Sequence, residues 1–590
     1  MRLAGYAFSL LGFAVLLSSS VAIVNAQQEF SGCIPKLGIS LRRLSSLKAG
    51  PWEGAGAMEV MDYDPFSKLA AIVEARRSST TPLALLIVNY ANVSSPFIHR
   101  RILVGNSSGE GAFVGTPNSV SVWNGFAALS LDGVPYTASG ILRVYNMASG
   151  IKVGEAVMPG CSMPDSIKWS RDGSRIVVAC EGEPTTQETL GSDPEVEPNP
   201  SGAIAIANVN IVSYTPSGAD RPVANFSFSI KLLDFQVYID SLSTIAYNNL
   251  LDKGFRIDPR LTKVTAAKDI EPEYITLHSD PDVLLAYVTL QENNAVASID
   301  LTPGQERILS IWPLGLKDWS VNSVDPSDVD GTRLRKFKGL YSWYQPDTIV
   351  HAIIEEKPYL FIANEGDSKA ESRRVKELLN LDTSVFPNVT AVRLDTDLGR
   401  LTVDPLFGMK KGYDRSLGWD SQTRPYSRLI AYGGRSWSIL DATNGQVVFE
   451  SGSQIETTLA AHPAASRCFN TDRDRNDPDT RSDNAGPEPE ALEVFQLKNR
   501  TYAAIGLERM GGFMLYDVSV PKTPVFGAYI YNRNFTAPKT APTNTLGDLA
   551  PEGIRFVPAK DSRTGNALLL LSNEISATAS AWEVTSCQMH

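Results

Sequence analysis

The chain has 590 residues, with 54 Lys+Arg against 65 Asp+Glu for a net charge of −11, 43% hydrophobic residues, and five Cys and five His. The acidic excess argues against nucleic acid as a partner, because that affinity comes mostly from counterion release by Lys and Arg, and so few cysteines cannot build a disulfide scaffold. A hydrophobic share near the globular average, with 44 Gly and 36 Pro, excludes a collagenous or disordered chain.

Residues 1–26 read as a secretory signal: Arg2, an apolar stretch from Leu3 to Val24, then Val24-Asn25-Ala26 before Gln27. The alternative, a membrane anchor, is disfavoured by the small residues that close the segment and by the lack of a basic cluster after it. Nothing later is apolar for long enough to span a bilayer. Six sequons fit export, at Asn92, Asn106, Asn225, Asn388, Asn499 and Asn534. The end, Trp582-Glu-Val-Thr-Ser-Cys-Gln-Met-His590, has no lipid-anchor signal, so a secreted, extracellular protein is expected, with cell-surface attachment only through a partner.

Residues 27–53 are expected to complete the last unit of a repeat that fills 54–586, followed by a short tail, 587–590. Six segments open with Pro, a small acid or amide, and an aliphatic two residues on: Pro117-Asn-Ser-Val120, Pro164-Asp-Ser-Ile167, Pro272-Glu-Tyr-Ile275, Pro346-Asp-Thr-Ile349, Pro489-Glu-Ala-Leu492 and Pro551-Glu-Gly-Ile554. In five of them the next strand runs into a Glu, at Glu181, Glu292, Glu365, Glu508 and Glu574; the Pro117 unit has Leu131-Asp132 there. A third strand follows with period-2 alternation, as in Ala295-Val-Ala-Ser-Ile-Asp-Leu301. Two further units, at 58–96 and at 428–451 around Tyr432-Gly-Gly-Arg435, lack the Pro-acid opening. Meanders of short antiparallel strands repeated in this way predict an all-β fold, a β-propeller of four-stranded blades, eight favoured and seven possible, with long loop insertions. Two stacked β domains are the alternative. The insertions fall at 183–200, 233–269, 316–341, 369–386 and 455–487. Within them only short pieces such as 373–379 look helical. Cys33 and Cys587 sit where a bridge would close the ring, Cys161 and Cys180 are neighbours in an antiparallel pair, and Cys468 is left over.

The start of a blade's first strand and the end of its second share one rim. Asp165, Glu273, Asp347, Glu490 and Glu552 are therefore expected on the same channel mouth as Glu181, Glu292, Glu365, Glu508 and Glu574. Carboxylates so crowded raise one another's pKa unless a cation neutralises them. Arg435, Arg509, Arg373 and Arg374 could supply part of that charge. A bound hard divalent ion, calcium rather than zinc, could supply the rest, since the donors on offer are oxygens, Asp367 among them. The alternative is that Pro-acid pairs are merely turn formers. Two loops are also oxygen-rich. Asp472-Arg-Asp474-Arg-Asn476 lacks the Gly of a calcium loop at its sixth position, Asp477, and Asp325-Pro-Ser-Asp328-Val-Asp330 is equally readable as a solvated turn.

The strings Gly182-Glu-Pro184, Glu271-Pro-Glu-Tyr-Ile275, Leu290-Gln-Glu-Asn-Asn-Ala295, Tyr344-Gln-Pro-Asp347, Ala363-Asn-Glu-Gly-Asp367, Tyr432-Gly-Gly-Arg-Ser436, Gly486-Pro-Glu-Pro-Glu490 and Gly506-Leu-Glu-Arg509 resemble the choice-of-anchor I family. That family includes mesenchyme-specific cell-surface glycoproteins associated with biomineralising cells. The resemblance implies an extracellular propeller-like domain attached to cells by varied means and associated with calcium mineral. Some bacterial relatives carry an alkaline phosphatase label. Three functions follow as expectations. The first is a non-catalytic, calcium-binding glycoprotein whose partners are divalent cations and mineral or matrix components. The second is a metal-dependent phosphomonoesterase using Glu365, Asp367, Arg435 and Arg509. The third is a metal-free protein-binding propeller. No nucleotide or organic cofactor is expected.

Overall fold

Unbroken apolar runs, not alternation, mark the strands that lie between neighbouring blades, because both of their faces are covered. Leu69–Glu74, Arg175–Cys180 and Ala567–Asn573 are buried at every residue, whereas the outer strand Phe97–Leu103 is mostly half-buried or exposed. The computed structural model describes residues 31–588 except 51–53, 76–82, 106–113, 183–198, 216–222, 281, 370 and 418–421. The expected signal segment, the Asn106 sequon, most of loop 183–200 and the last two residues of the tail lie outside the described residues.

Seven first strands surround a channel: Met61–Asp64 in blade 1, then Val114–Trp123, Pro164–Trp169, Pro272–Leu277, Pro346–Ile354, Pro489–Leu497 and Pro551–Val557 in blades 2 to 7. Each packs beside the next, and Met61–Asp64 packs on Pro551–Val557 to close the ring. The chain is thus a β-propeller. Among the described residues there are eight sheets, matching the eight units counted in the sequence, but seven of them form the ring. The unit at 428–451 does not make a blade of its own. Its strands Ser436–Asp441 and Val447–Glu450 are the outer half of blade 5, and Leu429–Ala431 joins an inserted five-stranded sheet, where it runs parallel to Leu340–Trp343.

Blade 7 is completed by the N-terminal segment, with Ile39–Lys48 pairing antiparallel to Thr578–Ser586 and Gly32–Ile34 outside it. The Cys33–Cys587 disulfide fastens that seam, and Cys161–Cys180 links the end of the outer strand of blade 2, Lys152–Ser162, to the second strand of blade 3, Arg175–Cys180; Cys468 is free and buried. The insertion at 233–269 contains two helices that went unread in the sequence, Phe235–Ser241 and Thr244–Asp252. Their signals were the capping residues: Asp234 accepts from the Gln236 N–H, and Ser243 from the Ala246 N–H. The segment expected to look helical at 373–379 instead makes the two-residue strand Arg373–Arg374 and one 3-10 turn, Val375–Glu377.

Asn92, Asn225, Asn388 and Asn499 are exposed, while Asn534 is half-buried and its side-chain oxygen accepts from the Thr536 hydroxyl and N–H. Glycan release from protein expressed in a secretory host is therefore expected to shift peptides carrying Asn92, Asn225, Asn388 and Asn499 and leave the Asn534 peptide unshifted by mass spectrometry.

Candidate metal centre

The same backbone device opens most blades. The residue before the Pro sits in the left-handed region at Met163 (φ 44°), Gln345 (φ 51°), Glu488 (φ 46°) and Ala550 (φ 57°), an uncommon conformation for residues other than glycine. A bulge then follows each Pro, with the register breaking between Pro164 and Ile167, Pro272 and Ile275, Pro346 and Ile349, and Pro489 and Leu492. Bulges re-aim side chains, and here they fall on the acid. The Glu ending the second strand is tied to the same turn: its N–H donates to the carbonyl of Met163 from Glu181 (2.9 Å), of Glu488 from Glu508 (2.9 Å) and of Ala550 from Glu574 (2.7 Å). These ties use backbone atoms, so turn formation alone does not call for the carboxylates.

The ten acids face one another across the mouth. Glu273 lies within electrostatic reach of Glu292, Glu181, Asp165 and Asp347, while Glu490 feels Glu552, Glu365, Glu508 and Asp347, and Glu552 feels Glu574. They touch channel solvent but are walled by protein, so loss of hydration is the main force on their pKa, followed by the neighbouring charges. Burial and then Asp132 push Asp165 up to about 6. Glu273, Asp347, Glu365, Glu490 and Glu552 are all held well above the usual carboxylate range. The phenol of Tyr274 feels Asp347, Glu552, Glu490 and Asp165 at once, which puts it inside the ring of acids.

Within this ring, carboxylate oxygens of Asp347, Glu365 and Glu490 lie within 4.8 Å of one another. That separation is about twice a Ca–O distance of 2.3–2.6 Å, and an all-oxygen donor set suits a hard cation rather than zinc. Glu490 is 9% exposed, and its Oε2 is buried with no hydrogen-bond partner. A buried carboxylate oxygen left unpaired is costly, and a cation at this point would satisfy it. Glu365 is held in place by the Gln291 side-chain amide, which donates to its Oε2 at 2.8 Å. Asp367 lies exposed at the outer edge, its backbone carbonyl accepting from Gln345 Nε2 at 2.6 Å.

A second triplet, Glu365, Glu488 and Glu508, converges equally closely but already carries protein cations. Arg509 Nε pairs with Glu488 and, at 3.1 Å, with Glu508, and Arg481 pairs with Glu488 at 2.6 Å. Arg473 reaches in from the 469–487 loop to Glu508 and, at 2.9 Å, to Glu574. Lys369 pairs with Glu271. The mouth is therefore divided: arginines neutralise the blade 6–7 side, while the Asp347, Glu365 and Glu490 triplet has no Lys or Arg ion pair among the described residues.

Three of the arginines expected at the rim are engaged elsewhere. Arg435 donates to Glu456 at 2.8 Å and to the carbonyls of Asp325, Ser482 and Asn484. Arg374 pairs with Asp483 at 2.7 Å, and Arg373 donates to the carbonyls of Glu371 and Ser372. The two oxygen-rich loops are taken up by cations too: Asp472 by Arg475 and Arg509, Asp477 by Lys539, Asp328 by Arg400, and Asp330 by Arg333 and Arg335. Sequence reasoning missed Glu488, Arg473, Arg481, Lys369 and Gln291. The doubled Pro-Glu of Gly486-Pro-Glu-Pro-Glu490 was the available signal for Glu488, whereas Arg473 and Arg481 come from a loop whose path the repeat does not encode.

Comparison with known proteins matches residues 59–521 to the choice-of-anchor I domain. Gigasin-3a from Magallana gigas is 29% identical over 170 residues, 27% of this chain and 58% of that protein. The Mesenchyme-specific cell surface glycoprotein of Strongylocentrotus purpuratus is 27% identical over 298 residues, 44% of this chain and 37% of that one. The matches thus span less than two thirds of either relative. Among solved structures, Kuenenia stuttgartiensis Hydrazine Synthase aligns with a TM-score of 0.41 at 11% identity, over 92% of this chain and 99% of that one. The WD40 domain from Toxoplasma gondii coronin aligns at 0.38 and 6%, over 95% and 89%. The propeller assignment rests on the ring of strands described above.

Proposed function

Because the chain belongs to the choice-of-anchor I domain family, we propose that it is an extracellular glycoprotein whose channel mouth binds a divalent cation, calcium by preference, in a non-catalytic role at matrix or mineral. The observation that carries this reading is the convergence of Asp347, Glu365 and Glu490 around a buried, unpartnered Glu490 oxygen. Asp347 and Glu365 from blade 5 and Glu490 from blade 6 would hold the ion. Its charge would let the surrounding acids ionise together. The extracellular setting is supported by two disulfides and by the name of the sea-urchin relative, a cell surface glycoprotein.

Calorimetry on chelator-stripped protein tests it. Calcium is expected to bind more tightly than magnesium, since a flexible carboxylate set suits the larger ion. Glu490→Gln and Glu365→Gln are each expected to weaken binding at least tenfold, and wild-type affinity in both variants would sink the assignment. The phosphomonoesterase reading has one observation in its favour, the placement of Arg509 within electrostatic reach of Glu365. It requires turnover of a phosphate ester that disappears with chelator and in Glu365→Gln. Calcium affinity without turnover is the expected outcome.

A further inference from the structure

Away from the mouth, a cleft of about 760 Å3 lies between the helix Thr244–Asp252 with the segment that follows it and the inserted sheet. That is the size of an ordinary small-ligand site, roughly 300–1,000 Å3. Its floor is aromatic, with Tyr247, Phe255, Trp343 and Phe407. Its edge is basic, with Lys253, Lys263, Arg415 and Arg428. No carboxylate forms an ion pair with any of these four among the described residues. Arg415 donates to the Leu261 carbonyl and Lys263 to the Asp240 carbonyl, which leaves their charge uncancelled. Two acids share the lining, Asp252 and Asp258, and Asp258 is already held by Arg260 at 2.9 Å. The cleft is thus locally basic in a chain whose net charge is −11.

Its walls are fixed in advance. Gly254 and Gly315, both in the left-handed region, meet so closely that a Cβ on Gly254 would lie 2.8 Å from the Gly315 Cα. The fully buried Asn294 side chain donates to both of their carbonyls, at 3.0 and 2.7 Å, tying each wall to blade 4. A pre-formed site avoids ordering costs on binding.

We propose that this cleft binds an acidic oligosaccharide, with sulfate or uronate groups on the Lys and Arg edge and a sugar face against the aromatic floor. Lys and Arg are the natural partners of such anions, and charge-assisted hydrogen bonds are the strong ones. A nucleotide would also offer anionic charge, but it needs a free ring face on which to stack. Tyr247, Phe255 and Trp343 are at most 6% exposed, and Phe407 has Arg256 over its ring at 5.4 Å and Trp343 edge-on at 5.3 Å. A sugar ring does not need a stacking face here: it makes only dispersion contact with the ring edges while the Lys and Arg edge holds its anionic groups.

The test is calorimetry on the full glycoprotein in EDTA, so that the mouth contributes no cation, with a chondroitin 4-sulfate hexasaccharide, maltohexaose and adenosine monophosphate as probes. The sulfated hexasaccharide is expected to bind with an affinity that falls as salt rises. The double variant Lys253→Glu/Arg428→Glu, at two exposed positions, is expected to lose at least tenfold. Should that variant unfold, Arg428→Gln alone must weaken binding at least threefold. No binding by the wild type, binding unchanged in these variants, or equal binding of maltohexaose or adenosine monophosphate would overturn the proposal. None of these outcomes bears on calcium affinity at the mouth, which is read separately without chelator.

Discussion

Stripped of divalent cations, the protein is expected to unfold at a lower urea concentration at pH 7.5 than at pH 5, and calcium is expected to reduce the difference. The cause is the ring of acids. Burial, with added repulsion from Asp132, puts Asp165 up to about 6. Burial and Glu488, partly offset by Arg509 and Arg473, put Glu508 at about 7. Burial, with added repulsion from neighbouring acids, also raises Asp347, Glu365 and Glu490 well above the usual carboxylate range. An acid whose folded pKa lies above its unfolded value of about 4 binds more protons folded than unfolded. Stability is then fully present below about pH 4 and is lost as pH rises from there through the folded values, about 6 for Asp165 and about 7 for Glu508. One carboxylate of the mouth works the other way. Despite burial, Arg509 and Arg481 hold Glu488 below the usual range, and its contribution is lost as pH falls below about 4. The metal-free protein should therefore be most stable near pH 4 to 5. With each pKa unit worth about 1.4 kcal/mol, several raised acids make the loss by pH 7.5 on the order of several kcal/mol. Calcium at a hundred times its Kd should restore about 2.7 kcal/mol at pH 7.5 and almost nothing at pH 4.5, where the triplet is protonated. A flat urea midpoint across this range, unmoved by calcium, would mean that Arg473, Arg509, Arg481 and Lys369 already neutralise the mouth.

Replacing Arg435 with Met is expected to destabilise the fold strongly. Arg435 and Glu456 are 3% and 1% exposed and lie 2.8 Å apart. The guanidinium also donates to three backbone carbonyls, those of Asp325, Ser482 and Asn484, so it ties the 325–335 loop and the 482–484 turn to blade 5. Its backbone is left-handed, at φ 50°, which aims the side chain into these loops instead of the channel. Removing it strands the Glu456 carboxylate in the interior and leaves the three carbonyls without this donor, a class of change that costs about 3–5 kcal/mol. Lys would restore the charge but not the fork of donors. The measurement is the urea midpoint of Arg435→Met at pH 7.5 with calcium present. A variant as stable as the wild type but altered in phosphate-ester turnover would return Arg435 to a catalytic role.

The propeller was legible because its signals are local. The Pro-acid opening, the all-apolar second strand and the terminal Glu recur within single blades. The Cys33–Cys587 seam followed from the same repeat, since the last blade needs an outer strand from the N-terminus. The count of closing blades was less legible. The segment 428–451 has the strand content of a blade, and the sequence does not reveal that some 70 residues of insertion separate it from the Pro346–Ile354 and Lys357–Asn364 strands it completes. Likewise Arg435 and Arg509 look alike in the sequence, each following a strand-end motif. Only the path of the 469–487 loop shows that one is locked into a loop anchor and the other faces the acids.

By itself, then, the sequence determined the repeating unit and the rim position of the ten carboxylates, both set by strand period and turn chemistry within a blade, while it left the cysteine connectivity open. The tertiary structure decided how many units close the ring, which acids meet a protein cation and which are left to converge on one point. Those outcomes depend on contacts between residues far apart in the chain, where packing and charge neutralisation, rather than local conformation, choose the partner.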